Sequence, residues 1–98
     1  MAFPPGFPGV ARFQGDEGNA DKNWKRHGVT QPEAEQVFFN KPILVTSDPG
    51  HSEKEERLFA LGQTDVGRRL AVVFVIRGES LRVISARPMS RQERRIYG

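Results

Sequence analysis

Between positions 56 and 87, apolar and polar residues alternate in three successive runs: E-R-L-F-A-L-G-Q, R-L-A-V-V-F-V-I-R and L-R-V-I-S-A-R. A two-residue period sends neighbouring side chains to opposite faces of a sheet, so each run predicts a strand. The links between them are short. Residues 64–68 contain Asp65 and Gly67, and Gly78-Glu79 places glycine first, the signature of a type II′ hairpin turn. Consecutive strands joined this way form an antiparallel meander. Residues 43–47 predict a shorter strand, and residues 10–14 are a candidate edge strand.

Elsewhere the apolar period is helical. Thr30 and Glu33 form a capping box, Pro32 is tolerated in the first turn, and Ala34, Val37 and Phe38 make the apolar stripe of a helix near 31–39. Asn40-Lys41-Pro42 ends it. Upstream, Ala20, Trp24 and His27 share one face and Gly28 is a suitable residue just past a helix end, predicting a helix near 17–27 with Trp24 as a core anchor. Pro88 stops the last strand. Ser90 and Glu93 form a second capping box, opening a helix over 91–97. The expected fold is α+β: an antiparallel meander of three to four strands, two N-terminal helices and one C-terminal helix. Residues 1–12 begin Pro- and Gly-rich, with Phe3 and Phe7, and read as a flexible leader to a domain over 13–98. The other reading packs those phenylalanines on the body or on a partner.

Alternation divides the sheet into two faces. Leu58, Ala60, Leu70, Val72, Phe74, Ile76, Leu81 and Val83 form a bulky face suited to packing on helices. The other carries Phe59, Leu61, Ala71, Val73, Val75, Ile84 and Ala86, together with Arg57, Arg69, Arg77 and Arg82. Paired as a meander, Arg57, Val75 and Arg82 fall opposite one another, with Arg77 nearby. Under strict alternation Arg87 lands on the bulky face, and a bulge or the strand end at Pro88 would turn it. A one-residue slip would exchange the faces. A row of guanidiniums suits phosphate, whose oxygens match arginine's planar fork. The competing reading pairs Arg57, Arg77 and Arg82 with Glu53, Glu55, Glu56 and Glu79 as surface ions of little energetic weight.

Composition changes this picture modestly. The 98 residues fit one domain, and 15 lysines and arginines against 12 acids give a formal charge of +3. That permits nucleic-acid binding without requiring it. Cysteine is absent, which excludes disulfides and thiolate zinc sites and fits a reducing cytoplasm, the expected location. No apolar run is long enough to span a bilayer, and positions 1–9 lack the basic and apolar regions of a signal peptide. The two histidines, His27 and His51, have no acid spacing that suggests a metal site; His27 suits the end of a helix and His51 a solvated loop. No metal or other cofactor is expected. The basic run R-P-M-S-R-Q-E-R-R over 87–95 is either a solvated helix face or a contact to RNA or a partner.

The quoted pattern resembles the BrnT family, the ribonuclease half of a bacterial type II toxin–antitoxin pair. The resemblance rests on Phe13, Asp16, Asn23, Arg26-His27-Gly28-Val29, Glu33-Ala34 and Val37-Phe38. It continues through Asp48-Pro49, His51-Ser52, Glu55-Glu56-Arg57, Ala60-Leu61-Gly62 and Gly67-Arg68, and ends on residues 82–87, Ser90, Glu93-Arg94 and Tyr97. It implies a compact RelE-like fold and an endoribonuclease that cleaves RNA without a metal through the 2′-hydroxyl. It also implies neutralisation by a ribbon-helix-helix antitoxin of the BrnA type, with DNA reached only through that antitoxin. Carried over residue by residue, it makes Arg57 and Arg87 transition-state cations, supported by Arg77 and Arg82, and His27 and Glu56 proton-transfer candidates. Lys22, Arg26, Arg69 and Arg94 become RNA contacts, while Glu93 and Arg94 order the C-terminal helix in the other reading. Three positions depart from the family pattern: Gly15 where tryptophan is usual, Asn19 where lysine is usual and Phe74 where tyrosine is common. They leave open a degenerate, non-catalytic protein-binding module as the alternative function.

Overall fold

A computed structural model describes residues 9–13, 27–47 and 57–98. Its elements are β1 (Arg12–Phe13), α1 (Gln31–Gln36), β2 (Leu44–Ser47), β3 (Leu58–Gln63), β4 (Arg69–Arg77), β5 (Ser80–Pro88) and α2 (Arg91–Tyr97). The strands form one five-stranded sheet in the order β1-β5-β4-β3-β2. From β2 to β5 every pairing is antiparallel, as the short links require. Gly78 has φ +56° and no described non-glycine residue has positive φ, which fits the type II′ turn expected between Arg77 and Ser80.

Two parts of the expected fold are corrected. The sheet is mixed and five-stranded, not an antiparallel meander of three to four strands: β1 runs parallel to β5, with Arg12 opposite Ser80 and Phe13 opposite Leu81. Two residues are too few to show a period, and their partner lies far along the chain, so no local signal gives the direction of pairing. β1 is held where Ala11 N donates to Glu79 O at 2.7 Å and Arg12 Nη2 meets Glu79 Oε2 at 3.1 Å. The described helices are two, α1 before most of the sheet and α2 after it, rather than two N-terminal helices and one C-terminal. The helix expected near 17–27 lies outside the described residues except for His27, which is helical.

Both described helices begin at their capping boxes. Thr30 Oγ1 accepts from Glu33 N at 3.2 Å while Glu33 Oε1 accepts from Thr30 N at 3.0 Å. Ser90 and Glu93 repeat the arrangement at 3.2 and 2.8 Å. The helix expected to reach 39 stops at Gln36 because Asn40 Nδ2 takes the Gln36 carbonyl at 3.1 Å, and the chain tightens into i→i+3 bonds at Phe38 and Phe39.

The main core lies on one face of the sheet. Leu70, Val72, Phe74, Leu81 and Val83 pack there against Ala34, Val37 and Phe38 of α1 and its turn. Phe38 meets Phe74 edge to face at 4.9 Å, and Phe13 joins Phe38 at 5.8 Å. Among the described residues the opposite face is covered at one end, where α2 brings Tyr97 and Met89 onto Leu61, Ala71 and Phe59. Tyr97 Oη ties this end down by donating to Pro42 O at 2.6 Å. No helix among the described residues is long and apolar enough to cross a membrane.

Candidate active site on the open face of the sheet

The register assembles a cationic cluster around Val75. Arg82 lies directly opposite Val75 across the β4–β5 ladder. On the other side the last ladder pair is Leu58 with Phe74, so extending it by one residue brings Arg57 opposite Val75. Arg77 follows two residues further along β4 on the same face. Strand spacing sets Arg57 and Arg82 about 10 Å apart at the backbone, with Arg77 about 7 Å along the strand from Val75. Those spans are within the combined reach of arginine side chains. Arg57 and Arg82 are half-buried, Arg77 is exposed, and Val75 beneath them is only 1% exposed. Arg82 Nε is shielded from solvent. A guanidinium in such a position is pre-organised by its surroundings rather than swinging in water. Glu79, one of the acids that could have neutralised the cluster, points instead to Arg12. Glu53, Glu55 and Glu56 lie outside the described residues.

A β-bulge decides where Arg87 goes. Val73 pairs with Ser85 but Phe74 pairs with Val83, so Ile84 is the extra residue on β5. Beyond it the alternation is inverted. Ala86, expected on the open face, is fully buried in the main core, and Arg87, opposite Ala71, joins Arg82 on the open face. The two arginines are separated by four positions of β4, or about 13 Å. Arg87 is also engaged differently. Its Nη1 and Nη2 donate to Glu93 Oε1 and Oε2 at 2.7 and 2.8 Å, and Glu93 at the same time accepts from Ser90 N. The Arg87 guanidinium, helped by the Ser90 amide, holds the Glu93 carboxyl down at about 2, and Glu93 in turn raises the pKa of Arg87. Arg87 therefore fixes the start of α2, and its charge is balanced.

The other candidates are dispersed. His27 is half-buried, and its carbonyl accepts from Arg68 Nη2 at 3.4 Å. Arg68 also donates to Gly28 O at 2.8 Å and to Glu33 Oε2 at 3.0 Å, so this clamp ties His27 and Gly28 to the start of α1. The Thr30 amide, then Arg68, lowers the Glu33 pKa. Sequence reasoning noticed Arg68 only as part of a motif; its neighbour Gly67, at φ +84°, marks the turn that aims it. Arg69 Nη2 donates to Gly98 O at 3.0 Å, and Arg94 is exposed in the last turn of α2. Lys22, Arg26, His51 and Glu56 lie outside the described residues, as do Gly15 and Asn19. Phe74, where a hydroxyl was missed, is fully buried against Phe38 in the main core, on the face away from the arginines. Its identity bears on packing and not on the open face. No group of three or more His, Asp or Glu side chains among the described residues could hold a metal ion.

Comparison with known proteins follows this geometry. Residues 16–93 match the model of a family described as ribonuclease toxin, BrnT, of type II toxin-antitoxin system. No curated protein matches the chain. Among solved structures, the chain is similar to the crystal structure of the Brucella abortus ribonuclease toxin, BrnT. The sequence identity is 25% and the TM-score 0.59, over 84% of this chain and 100% of that one.

Proposed function

The chain belongs to the BrnT family of ribonuclease toxins of type II toxin–antitoxin systems, and from that premise we propose that it is an endoribonuclease whose arginine cluster around Val75 holds the scissile phosphate of single-stranded RNA. The observation that carries this reading is the register, which sets Arg57 and Arg82 on either side of Val75 and Arg77 two residues further along β4 on the same face.

The substrate's own 2′-hydroxyl attacks the adjacent phosphorus, and the 5′-oxygen of the next nucleotide leaves. Negative charge builds on the non-bridging oxygens, and two guanidinium forks flanking Val75 are arranged to take it without a metal. Arg57 and Arg82 fill this role, with Arg77 at the turn as support. Arg87, whose charge Glu93 balances, acts as a positioning residue for α2 and for a neighbouring phosphate. Arg69 and Arg94 extend the electrostatic track for the RNA backbone, and Lys22 and Arg26 are further candidate RNA contacts by charge.

The proton from the 2′-hydroxyl goes to Glu56, which adjoins Arg57 in the chain, and is returned to the leaving 5′-oxygen; His27, whose carbonyl Arg68 holds beside the start of β4, stays with the α1 clamp. Glu56→Gln should therefore slow single-turnover cleavage far more than His27→Ala does. The partner that silences the enzyme is a ribbon-helix-helix antitoxin, with an acidic segment over the arginines. Co-expression tests the reading. The chain alone should arrest growth and degrade RNA, and a small ribbon-helix-helix protein encoded beside it should rescue the cells. A chain that neither cleaves RNA nor arrests growth would favour the degenerate binding module.

A further inference from the structure

On the same face as the arginines lies an apolar groove of about 380 Å³, formed by Leu44, Thr46, Phe59, Leu61 and Ile96, with Glu93 at its end. Phe59 and Leu61 of β3 make the floor, Leu44 of β2 one wall and Ile96 of α2 the other. Leu44 is 41% exposed and Ile96 64%. The register makes this groove continuous with the cationic patch. One row across the sheet reads Leu44, Leu61, Ala71, Arg87; the next reads Thr46, Phe59, Val73, Ser85; the next ends on Val75 and Arg82. The open face is thus apolar on its β2 side and cationic on its β5 side, about 10–15 Å apart. β2 is the last strand of the sheet, so among the described residues no strand pairs with its outer edge.

We propose that this groove anchors the antitoxin: an amphipathic segment of a protein partner sets aliphatic side chains against Leu44, Phe59, Leu61 and Ile96 and extends carboxylates across the sheet to the arginines. This rests on the functional reading above and deepens it by assigning the inhibitory surface. Charge and polarity choose a protein over RNA as the occupant. The groove offers almost no hydrogen-bonding groups with which to read a base edge. Its one charged group, the Glu93 carboxylate, is already engaged by Arg87 and Ser90, so the groove itself presents no cation to a phosphate. An apolar patch beside a cationic one matches an amphipathic acidic segment, which would bury the first and neutralise the second. Inhibition then follows from adjacency: a chain anchored in the groove lies across the approach to Val75.

The test uses the full chain and the purified small ribbon-helix-helix protein encoded beside it. Ile96→Gln, and the double variant Leu44→Gln with Ile96→Gln, place polar amides in the groove at exposed positions and leave the main core alone. Calorimetric titration should show the double variant binding more than tenfold more weakly than wild type. Cleavage of a single-stranded RNA by the free variants should stay within about twofold of wild type. Wild-type affinity in both variants would overturn this inference and leave the ribonuclease reading standing. Lost cleavage with unchanged antitoxin binding would make the groove a nucleotide-binding surface and overturn it equally. Absence of binding to the wild-type chain would overturn this inference, and RNA cleavage by that same chain would leave the ribonuclease reading standing.

Discussion

Single side chains set the electrostatics of this molecule, and the sharpest case is Glu93. It closes the capping box of α2 and holds Arg87 through both oxygens, which lowers its pKa to about 2. A carboxyl depressed in the folded state contributes its stabilisation above its unfolded pKa and loses it as pH falls through the folded one. Here the window runs from about 4.5 down to about 2. Glu93→Gln keeps an acceptor for the Ser90 amide but loses the charge. It should cost about 1–2 kcal/mol at neutral pH, a range discounted because Arg87 is partly exposed. In denaturant melts across pH, wild type and variant should converge in that acid window. A gap that stays constant down to pH 2 would show that Glu93 acts by shape and not by charge. Arg87→Ala should reproduce the loss of stability. Arg57→Ala, which breaks no described clamp, should leave stability nearly unchanged and affect cleavage instead.

At the scale of elements, packing and register decide. Gly62 in β3 lies against α1: a Cβ built there would stand 2.9 Å from Val37 Cβ. Gly62→Ala should therefore push α1 off the sheet and destabilise the fold by about 1–3 kcal/mol, the usual cost of overpacking. A thermal melt unchanged from wild type would contradict that close contact. Much of this level was legible in the sequence. The period of two located β3, β4 and β5, and two capping boxes located α1 and α2, because those signals are local. β1 was anticipated as an edge strand within 10–14, but its parallel direction was not legible, since its two residues pair with a strand most of the chain away. The bulge at Ile84 was anticipated only as one way to turn Arg87. Nothing in V-I-S-A announces which residue is extra, and the consequence is large, since it exchanges Ala86 and Arg87 between the faces. The groove was missed because Leu44, Phe59 and Ile96 come from three elements whose juxtaposition no local pattern encodes.

Among the described residues the sheet has one closed face and one half-open face, and the arginines and the apolar groove share the latter. Because the open face joins cations to an apolar groove, the antitoxin complex should respond to salt only in part. Raising salt from low to about 0.5 M screens the contacts around Val75 and should weaken binding, while the groove contacts persist. Affinity that does not change with salt would place the interface away from the arginines.

Charge stabilisation of phosphodiester cleavage by the cluster around Val75 should be visible in single-turnover cutting of a single-stranded RNA in EDTA. Wild type, Arg57→Ala and Arg82→Lys should be compared, with the product ends analysed. The account predicts that wild type cuts in EDTA and leaves a 2′,3′-cyclic phosphate. Arg57→Ala should be slower by roughly 10²–10³-fold, the usual loss when one charge-stabilising donor is removed. Arg82→Lys should be impaired as well, because lysine keeps the charge and loses the fork. Cleavage that stops in EDTA and returns with magnesium, or a folded Arg57→Ala chain that cuts at the wild-type rate, would contradict it.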